Sequence, residues 1–374
     1  MEELADGEAQ ARLQHHLLQP VTIPLMEDER GPLVGDAYAP LRRILKGGFR
    51  FTLLELLHAI GVKTCPFPQT QVEAVSNAWL FSKLLYGDGG FLRIRRIASD
   101  LHAIRSQELG IGVMCILVNR LWNVPFEGLE AIRGRGMRFD YRAQTPHLLG
   151  IFEAKGTASR GRQGQQIANG LAKKRAHHDR GEHFDLELIV STAVSRRERP
   201  RIVVADPELT DWESAFGEFS EKEYRLRHFA RVSAFAGARL LGRQLKKNAD
   251  MPWASTPLTL RRHPGNEVER EIEQLEETDV EGRTFAGRWV ERWLPKTDRP
   301  GGKRTAYEEA VSGFTPGLRV FQGCERSVLG RLLRGDWETQ IGVAPFQSRE
   351  RLVPGSGEIA SIFEDGSILA ARVA

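Results

Sequence analysis

Cysteine is scarce in this 374-residue chain. The three cysteines, Cys65, Cys115 and Cys324, are far apart and odd in number. They argue against a disulfide scaffold and a cysteine-rich zinc site, and fit a reducing, cytoplasmic setting. Long apolar runs are also missing. The longest, Leu109 to Val118, is flanked by Glu108 and Asn119-Arg120 and is too short to span a bilayer. Met1-Glu2-Glu3 is not followed by a basic region and an apolar segment, so no secretory signal is expected. Internal repeats and low-complexity tracts are absent. So is a Gly-x-Ser-x-Gly elbow, which removes the usual serine-hydrolase signature. Gly302-Lys303 has a phosphate-loop flavour, but Thr297 stands where the first glycine is needed and Arg304 follows the lysine. What remains is 41% hydrophobic and 27% charged, an ordinary globular balance, with length for about 2.5 domains.

Charge is unevenly placed. The formal net charge is +4, yet Asn266 to Glu281 alone carries −7, which leaves about +11 on the rest. From Lys155 to Arg180 there are seven basic residues (Lys155, Arg160, Arg162, Lys173, Lys174, Arg175, Arg180) against Asp179. A surface of that kind attracts phosphate and predicts salt-dependent binding of nucleic acid. The acidic stretch could instead dock a basic protein partner, or the C-terminal region could form a homodimer contact.

The pattern along the chain predicts three regions. Residues 1–97 read as a mostly helical accessory region: Gln19 to Gly48 looks irregular, while Phe51 to Ile60 and Gln71 to Tyr86 look helical. Residues 98–206 read as an α/β core. Ser99-Asp100 caps a helix that runs on, or restarts, through Glu108 to Trp122, with Gly110 and Gly112 weakening it or marking close packing. Gly128 to Arg133 reads as a short strand. Met137, Phe139 and Tyr141 alternate with Arg138, Asp140 and Arg142 in the period of a strand. Ala143 to His147 reads as a turn, and Leu148 to Phe152 as a buried strand. A small-residue loop, a helix from Gln163 to His177, and strands at Leu186 to Val194 and Arg201 to Ala205 follow. The order is helix, three strands, helix, two strands. Residues 207–374 read as a mixed α/β accessory or recognition region. It holds one long basic helix over Tyr224 to Leu245 and a C-terminal hairpin turning at Asp365-Gly366.

The chemistry concentrates in Asp140 and in Glu153-Ala154-Lys155. Glu153 and Lys155 stand two apart on a strand and share a face. If that strand pairs with its predecessor as a hairpin, Asp140 approaches Glu153. Two carboxylates there repel, and a hard divalent cation relieves the cost. Oxygen ligands suit Mg²⁺ or Mn²⁺, and Lys155 could orient a water or stabilise charge on a phosphate. Among all the lysines, Lys155 alone has an acid two residues before it.

With Asp140 and Glu153-Ala154-Lys155 on adjacent strands, followed by a basic helix, the chain resembles the PD-(D/E)xK phosphodiesterases, the restriction-endonuclease-like superfamily. The resemblance covers roughly residues 100–206. Phe139 stands where the family name has proline. The resemblance implies a mixed sheet flanked by helices and Mg²⁺-dependent hydrolysis of a nucleic acid, most commonly DNA. It implies metal ligation by Asp140 and Glu153, and water positioning by Lys155. It also implies a Glu on the preceding helix, for which Glu108 is the candidate with Glu127 and Glu130 behind it. A Gln on the following helix is implied too, with Gln166 ahead of Gln163 and Gln165. Gly170 stands where the Gln-x-x-x-Tyr branch has tyrosine. Arg160, Arg162, Lys173, Lys174 and Arg175 are the candidates for contact with the polynucleotide. By analogy, a nuclease with large flanks suggests restriction or anti-phage defence. The rival expectations are a catalytically silent nucleic-acid-binding module and a scaffold subunit of a larger complex. His177-His178 with Glu182-His183 matches no standard zinc spacing. Trp253, Trp289, Trp293 and Trp337 could stack on bases, though core packing is the commoner use.

Overall fold

The computed structural model describes residues 14–29, 32–64, 85–94, 99–132, 139–145, 148–179, 184–206, 221–249, 267–291, 318–336, 349–352 and 359–373. Among these it is a mixed α/β protein with three sheets. The central sheet holds β6 (Leu129–Ala131), β7 (Tyr141–Thr145), β8 (Leu148–Thr157), β9 (Leu186–Ala193) and β10 (Arg201–Ala205). The short edge strand β2 (Leu25–Glu27) completes it, in the order β2-β10-β9-β8-β7-β6. β6, β7 and β8 form an antiparallel meander, while β8 runs parallel to β9 (Glu153 opposite Ile189). The parallel crossover is made by α4 (Gln163–His178), and α3 (Ser99–Trp122) covers the other face.

Two apolar clusters explain why β8 and β9 are central. Phe152, Ala154, Leu188 and Val190 join the large cluster on the α3 side. Ile151, Ile189, Ile167 and Phe139 form the smaller cluster under α4. Alternate residues of one strand therefore serve opposite cores, and Glu153 and Lys155 share the α4 side with Ile151. α3 approaches β8 very closely. A methyl on Gly110 would lie 2.6 Å from the Lys155 carbonyl, and one on Gly156 only 1.5 Å from Ser106 O. The two glycines that weakened the helix prediction at 110 and 112 are packing sites: Gly112 rests on Ile60 of α2 (Leu53–Thr64).

Several expectations need correction. Among its described residues the N-terminal region carries strands as well as helices. Besides α2 and the short α1 (Ala39–Ile44) it carries β1 (Pro20–Ile23), β2, β3 (Phe49–Thr52), β4 (Leu85–Asp88) and β5 (Phe91–Ile94). Gln19 to Gly48, read as irregular, supplies two of these strands and α1. Tyr86 ends the proposed helix inside β4, and residues 71–84 lie outside the described residues. Phe139 and Asp140 precede β7 rather than lie within it, and Ala143 to Thr145 belong to that strand, not to a turn. The single helix expected over Tyr224 to Leu245 is two, α5 (Glu221–Ala236) and α6 (Arg239–Ala249), because Gly237 takes φ +95° between them.

The acidic stretch forms α7 (Glu267–Glu273) and β11 (Glu276–Val280). β11 opens the third sheet with β12 (Arg283–Glu291), β13 (Leu318–Glu325), β14 (Arg349–Leu352), β15 (Ile359–Ile362) and β16 (Ser367–Val373). α8 (Arg326–Arg334) packs beside it. β15 and β16 are the expected hairpin, Ile362 opposite Ile368. One apolar cluster runs from Leu17 to Ala371 through all three regions. A buried polar chain crosses the same junction. Lys63 Nζ donates to Phe126 O and Leu129 O, both at 2.6 Å, and lies 3.3 Å from His228 Nδ1, while His228 Nε2 meets Asp365 Oδ2 at 2.8 Å. Burial depresses both Lys63 and His228. No helix among the described residues is long and apolar enough to cross a membrane.

Candidate active site

Asp140, Glu153 and Lys155 converge. The β7–β8 register sets Tyr141 opposite Phe152, which brings Asp140 beside Glu153 and Ala154. The Ala154 N–H donates to Asp140 Oδ2 at 3.2 Å and fixes that carboxylate on the strand. Lys155 Nζ lies 2.6 Å from Glu153 Oε1 and 3.3 Å from Asp140 Oδ2. A fourth group completes the cluster: Lys173 Nζ, reaching over from α4, lies 2.7 and 2.9 Å from the two Glu153 oxygens and 3.4 Å from Asp140 Oδ1.

The cluster is buried at one end and open at the other. The Glu153 side chain is 0% exposed, whereas Asp140, Lys155 and Lys173 keep 27%, 21% and 22% of their side chains in solvent. Burial raises the Glu153 carboxyl, Asp140 raises it further, and Lys155 and Lys173 oppose the rise. Burial lowers Lys155, but Glu153 and Asp140 outweigh it and hold the ammonium above its ordinary value. Lys155 is therefore a positive charge in this site and not a proton acceptor at neutral pH.

The site also fits a hard cation. Both carboxylates reach one common ammonium, Lys173 Nζ, so their oxygens already face a shared positive centre. The donors are all oxygen, which suits Mg²⁺ or Mn²⁺. Among the described residues no group of three or more His, Cys, Asp or Glu gathers to hold a metal. Two carboxylates would suffice for Mg²⁺, which usually keeps several waters.

The remaining candidates fall elsewhere. Glu108 sits on α3, where its carboxylate takes Arg105 at 2.7 Å. Burial raises it against the pull of that arginine. Its neighbour Gln107 reaches β8 instead, donating to Ala154 O at 2.7 Å. Glu127 and Glu130 belong to the surroundings of Lys63. Burial pushes Glu127 up to about 7, and Glu130 pairs with Arg231 at 2.8 Å. Gln166 bridges β8 and β9, donating to Gly156 O at 3.2 Å and accepting from Ser191 Oγ at 2.7 Å. Gln163 is buried on Ser191 O, and Gln165 bonds Asn169 in the open.

Of the basic candidates, Lys174 is corrected. It is buried, 2.7 Å from Glu187 Oε2 and paired with Asp206, so it offers nothing to a bound polynucleotide. Arg162 and Arg175 are exposed, and Arg160 is held by Arg199 O at 3.0 Å. Trp289 lies on β12 against Phe321, its ring 4.4 Å from the Arg372 guanidinium. Trp253, Trp293 and Trp337 lie outside the described residues.

The histidines have structural partners. His178 meets Glu187 at 2.7 Å, and His177 Nε2 accepts the Phe139 N–H at 2.9 Å. As an acceptor that nitrogen carries no proton, and the bond anchors the segment just before Asp140. His177 is thus a positioning residue that the sequence reading missed. Its four-residue spacing from Lys173 on α4 was the available signal. Glu182 and His183 lie outside the described residues.

No family model matches this chain, and neither a curated protein nor a solved structure was found to match it.

Proposed function

We propose that the chain is a metal-dependent phosphodiester hydrolase acting on nucleic acid, with DNA as the first substrate to try, built on the PD-(D/E)xK plan. One observation carries the reading: Asp140, just before β7, and Glu153 and Lys155 on the adjacent β8, chosen from the sequence, meet within hydrogen-bond reach of the Lys155 ammonium. The run α3, β6–β8, α4, β9, with β8 parallel to β9, supports it as the helix–strand order that such nucleases would need.

On this reading Asp140 and Glu153 would hold Mg²⁺, which when bound would supply charge neutralisation at the scissile phosphate and a more acidic water. Lys155, kept protonated by the two acids, attracts a non-bridging phosphate oxygen and orients the attacking water. The Ala154 N–H and His177, through Phe139, keep Asp140 in place. Gln107 and Gln166, bonded to the β8 backbone on either side of Lys155, stiffen the strand that presents the pair. The test is cleavage of plasmid, linear DNA and RNA with Mg²⁺ or EDTA, by the wild type, Asp140→Ala and Lys155→Ala. Mg²⁺-dependent cleavage lost in both variants supports the reading. EDTA-insensitive cleavage, or full activity in both variants, overturns it. Binding without cleavage would favour a silent module, a role that the neutralisation of both acids by two lysines would also suit.

A further inference from the structure

We infer that the loop between β9 and β10, together with the turn before α4, forms an arginine rim that carries the polynucleotide backbone into the site. The inference rests on the proposed nuclease reading and adds Arg196, Arg197, Arg199 and Arg201 to the Arg160 and Arg162 already expected to meet the polynucleotide. Because β8 and β9 are parallel, their C-terminal ends lie at the same end of the sheet, and the Val194 N–H donates to Thr157 O there at 2.9 Å. Arg160 and Arg162 follow β8, while Arg196, Arg197 and Arg199 follow β9 and Arg201 begins β10.

The loop is built, not merely charged. Arg160 Nε donates to Arg199 O at 3.0 Å, Arg201 Nε to Gln163 Oε1 at 2.7 Å, the Glu198 N–H to Ser195 Oγ at 2.8 Å, and Arg93 to Glu198 O at 2.5 Å. The Arg199 guanidinium stacks 4.3 Å from the Phe91 ring. Six arginines thus stand with one acid, Glu198, in this stretch, and Asp28 alone joins it in pulling on Arg201. Arg162, Arg196 and Arg197 are exposed, and no ion pair engages them among the described residues. Holding like charges together costs free energy unless a polyanion neutralises them, and burial and the Arg160 charge both depress Arg201.

The distance to the site fits one strand of nucleic acid. Glu153 to Thr157 is four residues of β-strand, ~13 Å at about 3.3 Å each. Lys173 back to Gln163 is ten residues of helix, ~15 Å at 1.5 Å each. Either path corresponds to about four nucleotides of duplex rise at 3.4 Å per nucleotide on one strand. The rim thus stands about four nucleotides of rise from the carboxylates, along the strand that carries Glu153 and Lys155.

The test is anisotropy of a labelled 20-bp DNA duplex, its single strand and the matching RNA duplex, in EDTA so that nothing is cut, across a salt series. Expected is that Arg196→Ala/Arg197→Ala lowers the slope of log affinity against log salt by about two, near one per lost phosphate contact. The control pair Arg243→Ala/Lys247→Ala, exposed on α6, is expected to leave the slope unchanged. The probe that the wild type binds most tightly at one common salt concentration identifies the polynucleotide carried. A full slope in the rim variant, or an equal loss in the control, overturns the rim. If that happens while the wild type still binds and cleaves, only the rim falls. A wild type that binds none of the three probes in EDTA overturns the rim, and only if it also cuts none of them with Mg²⁺ does the nuclease reading fall with it.

Discussion

Lys173→Met removes one of the two ammonium groups that neutralise Asp140 and Glu153 while keeping an apolar stem of similar reach. Lys173 Nζ lies 2.7 Å from Glu153 Oε1 in the structure. Two unit charges at that separation attract by about 6 kcal/mol at an effective dielectric constant of ~20. Solvent takes part of this back, because 22% of the Lys173 side chain is exposed, and Glu153 retains Lys155 at 2.6 Å. The net cost is therefore about 2 kcal/mol, less than the ~3–5 kcal/mol of stripping a partner from a fully buried pair. On the proposed reading the same ammonium competes with Mg²⁺ for the carboxylate oxygens. Mg²⁺ stabilises both proteins in proportion to the logarithm of its concentration over the dissociation constant, so the gap closes because the variant, without the competing ammonium, binds Mg²⁺ more tightly; a dissociation constant lower by about 30-fold offsets about 2 kcal/mol. The assay is urea unfolding in EDTA and at rising Mg²⁺. The variant is expected to be less stable than wild type in EDTA, to converge on it as Mg²⁺ rises, and to respond at lower Mg²⁺ than wild type does. A gap that stays constant at every Mg²⁺ concentration refutes the reasoning.

Two further predictions concern the scaffold. Gly156→Ala places a methyl 1.5 Å from Ser106 O, a backbone atom that cannot swing aside. Forcing α3 from β8 costs more than the ~1–3 kcal/mol of ordinary overpacking, so the urea midpoint is expected to fall sharply, and a loss under about 1 kcal/mol contradicts the packing. His58 is buried against Phe363, and burial lowers it to about 3 although Asp365 pulls the other way. The folded state therefore stays neutral there while the unfolded chain takes up a proton below its ordinary 6.5. Stability contributed by His58 is full above pH 6.5 and is lost as pH falls toward 3, by at most about 5 kcal/mol. His58→Gln should lose less stability than wild type between pH 7 and 4, and parallel pH curves for the two proteins would contradict this.

Local periodicity carried much of the core. The apolar run ending at Phe152 marked β8, and the two-residue spacing of Glu153 and Lys155 placed both on one face. What it could not carry was register between elements. Lys173 and Lys174 are neighbours in sequence, yet the helix turns one toward the Glu153 carboxylate and buries the other against Glu187 and Asp206. That choice depends on where α4 sits on β9, which Gly170 sets by letting the helix rest on Ile189. The His177 bond to Phe139 is equally non-local, joining residues 38 apart. The N-terminal strands were missed for another reason. β1 and β2 are only four and three residues long, with Pro24 between them, so neither completes a readable alternation. The break at Gly237 was open to reading, since a glycine inside a long helical pattern is a standing candidate for a positive φ.

The central claim is that two acids and Lys155 form one metal-dependent hydrolytic centre. Its most direct test is the single-turnover cleavage rate of DNA as a function of Mg²⁺, for wild type, Asp140→Asn and Lys155→Met. The account predicts saturable Mg²⁺ dependence in the wild type, a rate lower by about 10²–10³ in Lys155→Met, the scale of losing one charge-stabilising donor, and weakened Mg²⁺ dependence in Asp140→Asn. Wild-type rates in both variants across the Mg²⁺ range would contradict it.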